Sequence, residues 1–223
     1  MTWIKICGTT NELDADIAIR AGANALGFIM MASPRQVSDT TAYSIGTIVP
    51  KGVETIGVFM NEALETLVQT ARFCKFTGVQ LHGEEDAEYL ENVRGRLPGV
   101  KVLKAVTVEK LKSGMTLKPN AWLIDSAAGT QRGGTGKVFN WTDAVPILKK
   151  LREPVIIAGG LNSKNVGEAL EIFRPWGVDV ASGVESYPGC KHPGALSQFI
   201  DTVRQFDAQA RNPRVAAQKG QRT

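Results

Sequence analysis

The chain has 223 residues, of which 43% are hydrophobic and 22% charged, a composition typical of a soluble globular protein. No apolar run is long enough to cross a bilayer, and the first residues lack the layout of a signal peptide. The three cysteines, Cys7, Cys74 and Cys190, are too few and too widely spaced to indicate a disulfide framework or a zinc site. We therefore predict a cytoplasmic protein without a membrane partner.

The net charge of +4 does not indicate a nucleic-acid surface, because it is concentrated at the C-terminus. Residues 208–223 hold four basic residues and no acidic ones, so the remainder carries 22 basic and 22 acidic residues. This segment also contains Pro213, Gly220 and several Gln and Ala residues. We predict one domain at residues 1–207, a basic, mostly disordered tail at 208–223, and no nucleic-acid partner.

The first predicted strand covers residues 3–8. Because side chains alternate along a strand, Lys5 and Cys7 share one face, and Ile4 and Ile6 face a helix layer. Two readings of the thiol remain open at this point. Free cysteines are often buried core residues, but a reactive group at a strand tip before a glycine is also typical of α/β active sites.

Further strands alternate with helical patterns along the chain. A Thr-Thr-Asn-Glu sequence at 9–12 has the form of a capping box, and Asn61 and Asn162 are predicted to cap later helices. The remaining strands are predicted at 24–29, 53–59, 77–81, 100–106, 121–125, 154–158 and 177–181. Eight strands, each followed by a helix, predict an α/β fold, a single (β/α)8 TIM barrel.

In such a barrel, the carboxyl ends of the strands form the active-site face. Strands seven and eight end in Gly159-Gly160 and near Ser182-Gly183, a pattern that indicates a phosphate site. Glycine lets the backbone approach an anion, the serine hydroxyl can donate, and residues 184–186 are predicted as a short extra helix. The alternative to a phosphate site is that the glycines only form turns and the serine only caps a helix.

The glycine-rich loop at residues 129–137 resembles a nucleotide-binding loop but does not match one. Gln131 stands where the first glycine is required, and Val138 replaces the Ser or Thr that would bind magnesium. We predict a lid beside the active site instead.

Cys7 and Asp125 are predicted to project from strands one and six into the same cup. A base and an acid on either side of a phosphate-bearing sugar suit proton transfer between carbon and oxygen. A thiol acts as a base only as the thiolate, and the charge of Lys5 would favour that form. Lys5 is equally well explained as half of a buried ion pair with Asp179, and Asp125 as a core carboxylate.

Two more residues border this face. Arg35, in Ser33-Pro34-Arg35 after strand two, can hold a carboxylate with two N–H groups, or it is a solvated loop residue. His82, in Gln80-Leu81-His82-Gly83 after strand four, is either a loop hydrogen-bonding residue or part of the site.

Together these segments resemble the phosphoribosylanthranilate isomerase family of tryptophan biosynthesis. The resemblance covers residues 3–205 in order and is carried by Lys5-Ile6-Cys7-Gly8, Ser33-Pro34-Arg35, Gln80-Leu81-His82-Gly83, Leu123-Ile124-Asp125-Ser126, Gly133-Gly134-Thr135-Gly136-Lys137, Ala158-Gly159-Gly160-Leu161 and Val178-Asp179-Val180-Ala181-Ser182-Gly183-Val184-Glu185. The chain departs from the family pattern at Ile29-Met30-Met31-Ala32, because the family usually has a second aromatic residue shortly after Phe28 and often a lysine before Ser33-Pro34-Arg35.

The resemblance implies an Amadori rearrangement of N-(5-phosphoribosyl)anthranilate without cofactor or metal. Asp125 would be the general acid that opens the ribose ring, and Cys7 the general base that takes the C2 proton. The other expected roles are the anthranilate carboxylate for Arg35, the sugar or linker for His82 and Asp179, and the phosphate for Gly159, Gly160, Ser182 and Gly183. We expect a small-molecule phosphoribosyl substrate and a monomer or homodimer.

Two alternatives remain beside this function. One is a related or dual-substrate phosphosugar isomerase, such as the histidine-pathway Amadori enzyme. Cys7 in place of an aspartate, and the single clear phosphate site, argue against it. The other is a barrel that binds a phospho-metabolite without catalysis, for which neither Cys7 nor Asp125 would be needed.

Overall fold

The structure, a computed structural model, describes residues 1–125 and 141–211. The predicted lid at 129–137 and residues 212–223 lie outside the described residues, as does Ser126. None of the helices in the described ranges combines the length and the apolar character that crossing a membrane requires.

Within those ranges, eight parallel strands pair in sequence order and close into a barrel, since the first strand also pairs with the eighth. These strands are Trp3–Cys7 (β1), Ala25–Ile29 (β2), Glu54–Phe59 (β3), Gly78–Leu81 (β4), Lys101–Val106 (β5), Ala121–Ile124 (β6), Val155–Ile157 (β7) and Gly177–Val180 (β8). The predicted (β/α)8 barrel is therefore confirmed.

Helices follow the strands and cover the outside of the barrel. In the described part of the chain they are Glu12–Ala21 (α1), Asp39–Thr47 (α2), Leu64–Phe73 (α3), Ala87–Arg96 (α4), Val108–Lys112 (α5), Trp141–Leu148 (α6), Val166–Phe173 (α7) and Pro193–Arg211 (α8). α8 begins at a proline, which suits a first helical position because its missing N–H needs no partner there.

The side chains of β1 alternate between two cores, and Ile4 and Ile6 face the helices as predicted. Ile4 and Ile6 are fully buried among helix residues such as Ala15 and Phe199. Trp3 packs inside the barrel with other inward residues, namely Ala25, Ile56, Leu103, Ala105, Ala121, Leu123, Ile156 and Ala158. These apolar side chains fill the barrel interior toward the amino ends of the strands. The polar side chains that point into the barrel therefore lie at its carboxyl end.

The predicted helix caps were wrong. α1 is capped by Asn11, whose Oδ1 accepts from the Asp14 N–H at 2.9 Å, whereas Thr9 is buried and its hydroxyl faces the Ile6 carbonyl. Asn61 has a φ of 51° and accepts from Glu84 N–H at 2.7 Å, so it joins two loops and α3 begins at Leu64. Asn162 likewise precedes α7 without capping it, because α7 begins at Val166.

The segment after β8 also differs from the prediction. The extra helix is a single 3₁₀ turn at Ser182–Val184, two residues earlier than predicted. A small antiparallel hairpin follows, made of Glu185–Tyr187 (β9) and Cys190–Lys191 (β10). At the other end of the last element, α8 continues to Arg211, so residues 208–211 of the predicted tail are helical.

Candidate active site

An open cavity of about 890 Å³, including the solvent at its mouth, lies at the carboxyl ends of the strands. Every predicted site residue except Gly183 lines it. The lining consists of Cys7, Ile29, Met31, Ser33, Arg35, Val58, Gln80, His82, Asp125, Gly159, Gly160, Leu161, Asp179, Val180, Ala181 and Ser182. Side chains from seven different strands or their loops thus converge on one space, as a substrate site in a barrel requires.

Cys7 ends β1 with its thiol packed over Gly27, the residue paired with it on β2. A Cβ atom at Gly27 would lie 2.8 Å from Cys7 Sγ and 3.0 Å from Lys5 Cε, so only glycine leaves room for both side chains. Burial raises the pKa of the Cys7 thiol, against the opposing effect of the Lys5 ammonium. Asp179 adds to the increase and Lys191 opposes it.

Lys5 and Asp179 form a buried ion pair across the junction between β1 and β8. Lys5 Nζ donates to Asp179 Oδ1 at 2.7 Å, and the Lys5 side chain is fully buried. Burial lowers the pKa of Lys5, but attraction to Asp179 and to Cys7 outweighs it, and the net pKa is raised. Lys5 therefore stays protonated, and both readings of this residue hold together: it is half of an ion pair and it is close enough to influence the thiol.

His82 and Asp125 face each other on the opposite wall. His82 Nε2 lies 3.9 Å from Asp125 Oδ2, and His82 Nδ1 lies 3.0 Å from the Gln80 side-chain nitrogen. Burial lowers the pKa of His82, although Asp125 raises it, so the imidazole is neutral near pH 7. With Gln80 donating to Nδ1, the imidazole proton resides on Nε2 and points toward Asp125. This contact of Gln80 was not predicted from the sequence, although the position of Gln80 on the same face of the strand as His82, two residues earlier, was a usable signal.

The loops after β7 and β8 meet at one end of the cavity. Gly159 and Gly160 have φ values of 78° and 73°, a left-handed conformation that favours glycine. A Cβ at Gly183 would lie 1.9 Å from the Leu161 carbonyl oxygen, so the 3₁₀ turn packs directly on the β7 loop. Within the described residues, the N–H groups of Gly160, Ser182 and Gly183 have no protein acceptor. Such converging N–H donors can hold an anion.

Arg35 lies on the cavity wall but is not a solvated loop residue. Its Nε and Nη2 donate to the carboxylate of Glu185 at 2.9 and 2.7 Å, and the exposed fraction of its side chain is only 14%. No local sequence signal predicted this pair, because the two residues are 150 positions apart.

The remaining wall of the cavity is apolar. Ile29, Val58 and Met31 pack beside Cys7 on this side of the cavity. A flexible methionine can adapt to the flat face of an aromatic ring. Among the described residues, no cluster of His, Cys, Asp and Glu side chains has the arrangement needed to hold a metal ion.

Comparison with known proteins identifies the family. The family model for N-(5′-phosphoribosyl)anthranilate isomerase matches residues 4–202. The enzyme of that name from Pelobacter propionicus is 40% identical over 206 residues, which cover 92% of this chain and 97% of the relative.

Two solved structures have the same fold. One is a phosphoribosyl anthranilate isomerase in complex with reduced 1-(o-carboxyphenylamino)-1-deoxyribulose 5-phosphate; the other shows monomers generated from the dimeric isomerase of Thermotoga maritima. Each has a TM-score of 0.79 and 33% identity, and each alignment covers 92% of this chain and 100% of the other. The chain therefore belongs to the N-(5′-phosphoribosyl)anthranilate isomerase family, a family of isomerases in tryptophan biosynthesis.

Proposed function

We propose that this protein converts N-(5′-phosphoribosyl)anthranilate to 1-(2-carboxyphenylamino)-1-deoxyribulose 5-phosphate, with Asp125 as general acid and Cys7 as general base. The observation that carries the proposal is the order of the strands. β7 and β8, whose loops form the anion-binding end of the cavity, lie between β6 and β1 in the closed barrel. A ribose 5-phosphate held there would extend between Asp125, after β6, and Cys7, at the end of β1.

The first step opens the ribose ring. The Asp125 carboxylic acid donates its proton to the ring oxygen while the bond from that oxygen to C1 breaks. The lone pair of the anilino nitrogen forms the C1–N double bond, which gives a protonated Schiff base. The neutral His82 imidazole, with its Nε2 proton directed at Asp125, stabilises the carboxylate left behind.

The second step moves a proton from carbon. The Cys7 thiolate takes the C2 proton, and the electron pair of that bond forms a C1–C2 double bond and neutralises the Schiff base. The resulting enol-amine becomes the ketone when its C2 hydroxyl loses a proton and C1 gains one. No cofactor or metal enters these steps.

The other contacts of the substrate follow from the same placement. Gly159, Gly160, Ser182 and Gly183 would hold the phosphate with backbone N–H groups and the serine hydroxyl. Arg35 would bind the carboxylate of the anthranilate ring, and Asp179 and His82 would contact the sugar. The ring itself would pack on Ile29 and Met31. We also propose that the protein is cytoplasmic and a monomer or homodimer.

A turnover assay with two variants tests the proposal. Purified protein should consume the fluorescence of N-(5′-phosphoribosyl)anthranilate, and Cys7→Ala and Asp125→Asn should each lower kcat by about 100-fold or more. Binding of the reduced product analogue should change far less, because neither group is needed for ground-state contacts. The matched control is Cys74→Ala, which removes a buried thiol outside the cavity and should leave kcat unchanged.

The same assay separates the alternatives. Turnover of the histidine-pathway substrate as well would make this a dual-substrate isomerase. Binding of the analogue without any turnover would make it a binding protein. Normal turnover by Cys7→Ala would show that the base is another group.

A further inference from the structure

Glu185 lies at the centre of a buried charge network next to the cavity. It is the first residue of β9 and directly follows the 3₁₀ turn that carries Ser182. Its side chain is only 3% exposed, yet it receives hydrogen bonds from three residues: Arg35 in the loop after β2, and Gly189 and Lys191 in its own hairpin. Arg35 lines the cavity and Glu185 does not, so Glu185 contacts Arg35 from the side away from the cavity.

The contact with Arg35 uses one edge of the guanidinium. Nε lies 2.9 Å from both carboxylate oxygens of Glu185, and Nη2 lies 2.7 Å from Oε2. Within the described part of the chain, Nη1 has no protein acceptor. The stem of Arg35 crosses Gly8, where a Cβ would lie 2.7 Å from Arg35 Cδ. The guanidinium is thus fixed at one edge and at its stem, and its other edge is left for a ligand.

The second contact of Glu185 leads to Cys7. Lys191 Nζ donates to Glu185 Oε1 at 2.9 Å and to the backbone carbonyl of Cys7 at 2.5 Å. Lys191 is itself only 3% exposed, and its backbone N–H donates to Asp14 Oδ2 at 2.9 Å. Glu185 therefore links Arg35, at one side of the cavity, through Lys191 to the backbone of Cys7.

The charge balance shows that the carboxylate is ionised. Burial alone would raise the pKa of Glu185, but hydrogen bonds from Arg35 and the charge of Lys191 outweigh it, and the net pKa is lowered. One carboxylate thus contacts both cations, and a second carboxylate, that of Asp14, accepts from the backbone N–H of Lys191. The edge of the Arg35 guanidinium that Glu185 does not contact still presents N–H groups in one plane, which suits a carboxylate ligand.

We propose that Glu185 is a positioning residue, which directs the free edge of Arg35 at the carboxylate of the anthranilate ring and, through Lys191, holds the backbone that carries Cys7. This inference rests on the proposed function and adds to it a determinant of specificity for carboxylated substrates. A purely structural pair would stabilise the hairpin without affecting which ligand is preferred.

The test compares two ligands by calorimetry. One is reduced 1-(o-carboxyphenylamino)-1-deoxyribulose 5-phosphate, and the other is the same compound without the ring carboxylate. The unchanged protein should prefer the carboxylated ligand. In Glu185→Gln, an amide N–H faces the guanidinium and Arg35 loses its fixed orientation. The preference should fall by about tenfold, while affinity for the carboxylate-free ligand changes by less than about threefold.

A matched control uses another buried pair. Glu85 Oε2 accepts from Lys104 Nζ at 2.9 Å, both side chains are 2% exposed, and neither lines the cavity. Glu85→Gln should lower Tm as Glu185→Gln does, because each removes one partner of a buried ion pair, but it should leave the ligand preference unchanged.

Each outcome decides a different point. An unchanged or increased preference in Glu185→Gln overturns the inference, since a carboxylate that merely competed with the ligand for Arg35 would give an increase. If Glu185→Gln does not fold, Glu185→Asp retains the charge on a shorter stem. It should show a smaller loss of preference, and no loss would again overturn the inference. If the unchanged protein binds neither ligand, the proposed function fails and this inference with it.

Discussion

Cys7 lies between two buried ammonium groups, each paired with a carboxylate. Lys5 is paired with Asp179 inside the barrel, and Lys191 is paired with Glu185 outside it. Both ammonium groups favour the thiolate, whereas burial favours the thiol and prevails. The raised pKa makes the thiolate a stronger base but a minor species near neutrality. The activity of a Cys7 base should therefore increase with pH on the alkaline side.

Removing the Lys5 ammonium group should make the Cys7 thiol harder to deprotonate. In Lys5→Met, we expect the pKa of Cys7 to rise further, because a favourable charge beside the thiolate is lost. The measurement is the rate of Cys7 alkylation by iodoacetamide as a function of pH, followed by peptide mass spectrometry. This readout needs no catalytic turnover.

The opposite substitution in the same ion pair is the control. Asp179→Asn removes the charge that raises the pKa of Cys7, so alkylation should shift to lower pH. Both variants break one buried pair and should lower stability to a similar extent. Shifts in the same direction would mean that loosened packing, and not charge, governs the thiol.

At the scale of elements, the strands and helices were predicted well from the sequence and the connections between them poorly. Strand and helix positions follow from side-chain periodicity, which is a local property, so all eight βα units were found. The connection after β8 was misread as a helix at residues 184–186, although Pro188-Gly189 is a typical turn signal. Gly189 has a φ of 83°, the conformation that joins β9 to β10. The hairpin matters because it presents Glu185 and Lys191 to the site.

The close contact between the two phosphate loops leads to a prediction about Gly183. In Gly183→Ala, the added methyl group would overlap the Leu161 carbonyl, so the 3₁₀ turn must move away from the β7 loop. A displacement of about 1 Å among phosphate donors should lower kcat/KM on the order of 100-fold. The added methyl group should also weaken binding of the reduced product analogue.

Gly95→Ala is the control for this substitution. Gly95 lies in α4, and nothing stands within 4 Å of a Cβ added there, so alanine should be neutral or slightly stabilising. Equal activity of Gly183→Ala and Gly95→Ala would show that the 3₁₀ turn does not hold the phosphate.

At the scale of the whole molecule, the placement of the site could be predicted from the sequence, but the pairing of its charged side chains mostly could not. Strand tips in a parallel barrel converge whatever their sequence, so Cys7, Asp125 and Gly159 were grouped from the order of elements alone. The pairing of Arg35 with Glu185 depends on how two distant loops pack over Gly8, which no local pattern encodes. The pair of Lys5 and Asp179 was one of two open readings of Lys5, and it forms because β1 and β8 are neighbours in the closed barrel.

The second half of α8 is attached to the start of β1. Asp207 accepts from the N–H of Thr2 at 2.9 Å and from its hydroxyl at 2.7 Å, and Arg204 donates to the Thr2 and Gly22 carbonyl oxygens. These bonds attach the last helix to the start of β1, at the amino end of the barrel. The cavity lies at the opposite end.

Two truncations should therefore behave differently. A chain that ends at Arg211 retains every one of these bonds and every residue that lines the cavity, so its kcat/KM should match that of the full chain within about twofold. A chain that ends at Val203 loses both Arg204 and Asp207. Because each charge-assisted bond contributes about 1.5–3 kcal/mol, we expect its Tm to fall by more than about 4 °C. Calorimetric scans and turnover assays of both chains provide the measurement. A loss of activity in the chain that ends at Arg211, with Tm unchanged, would mean that residues 212–223 contribute to the reaction.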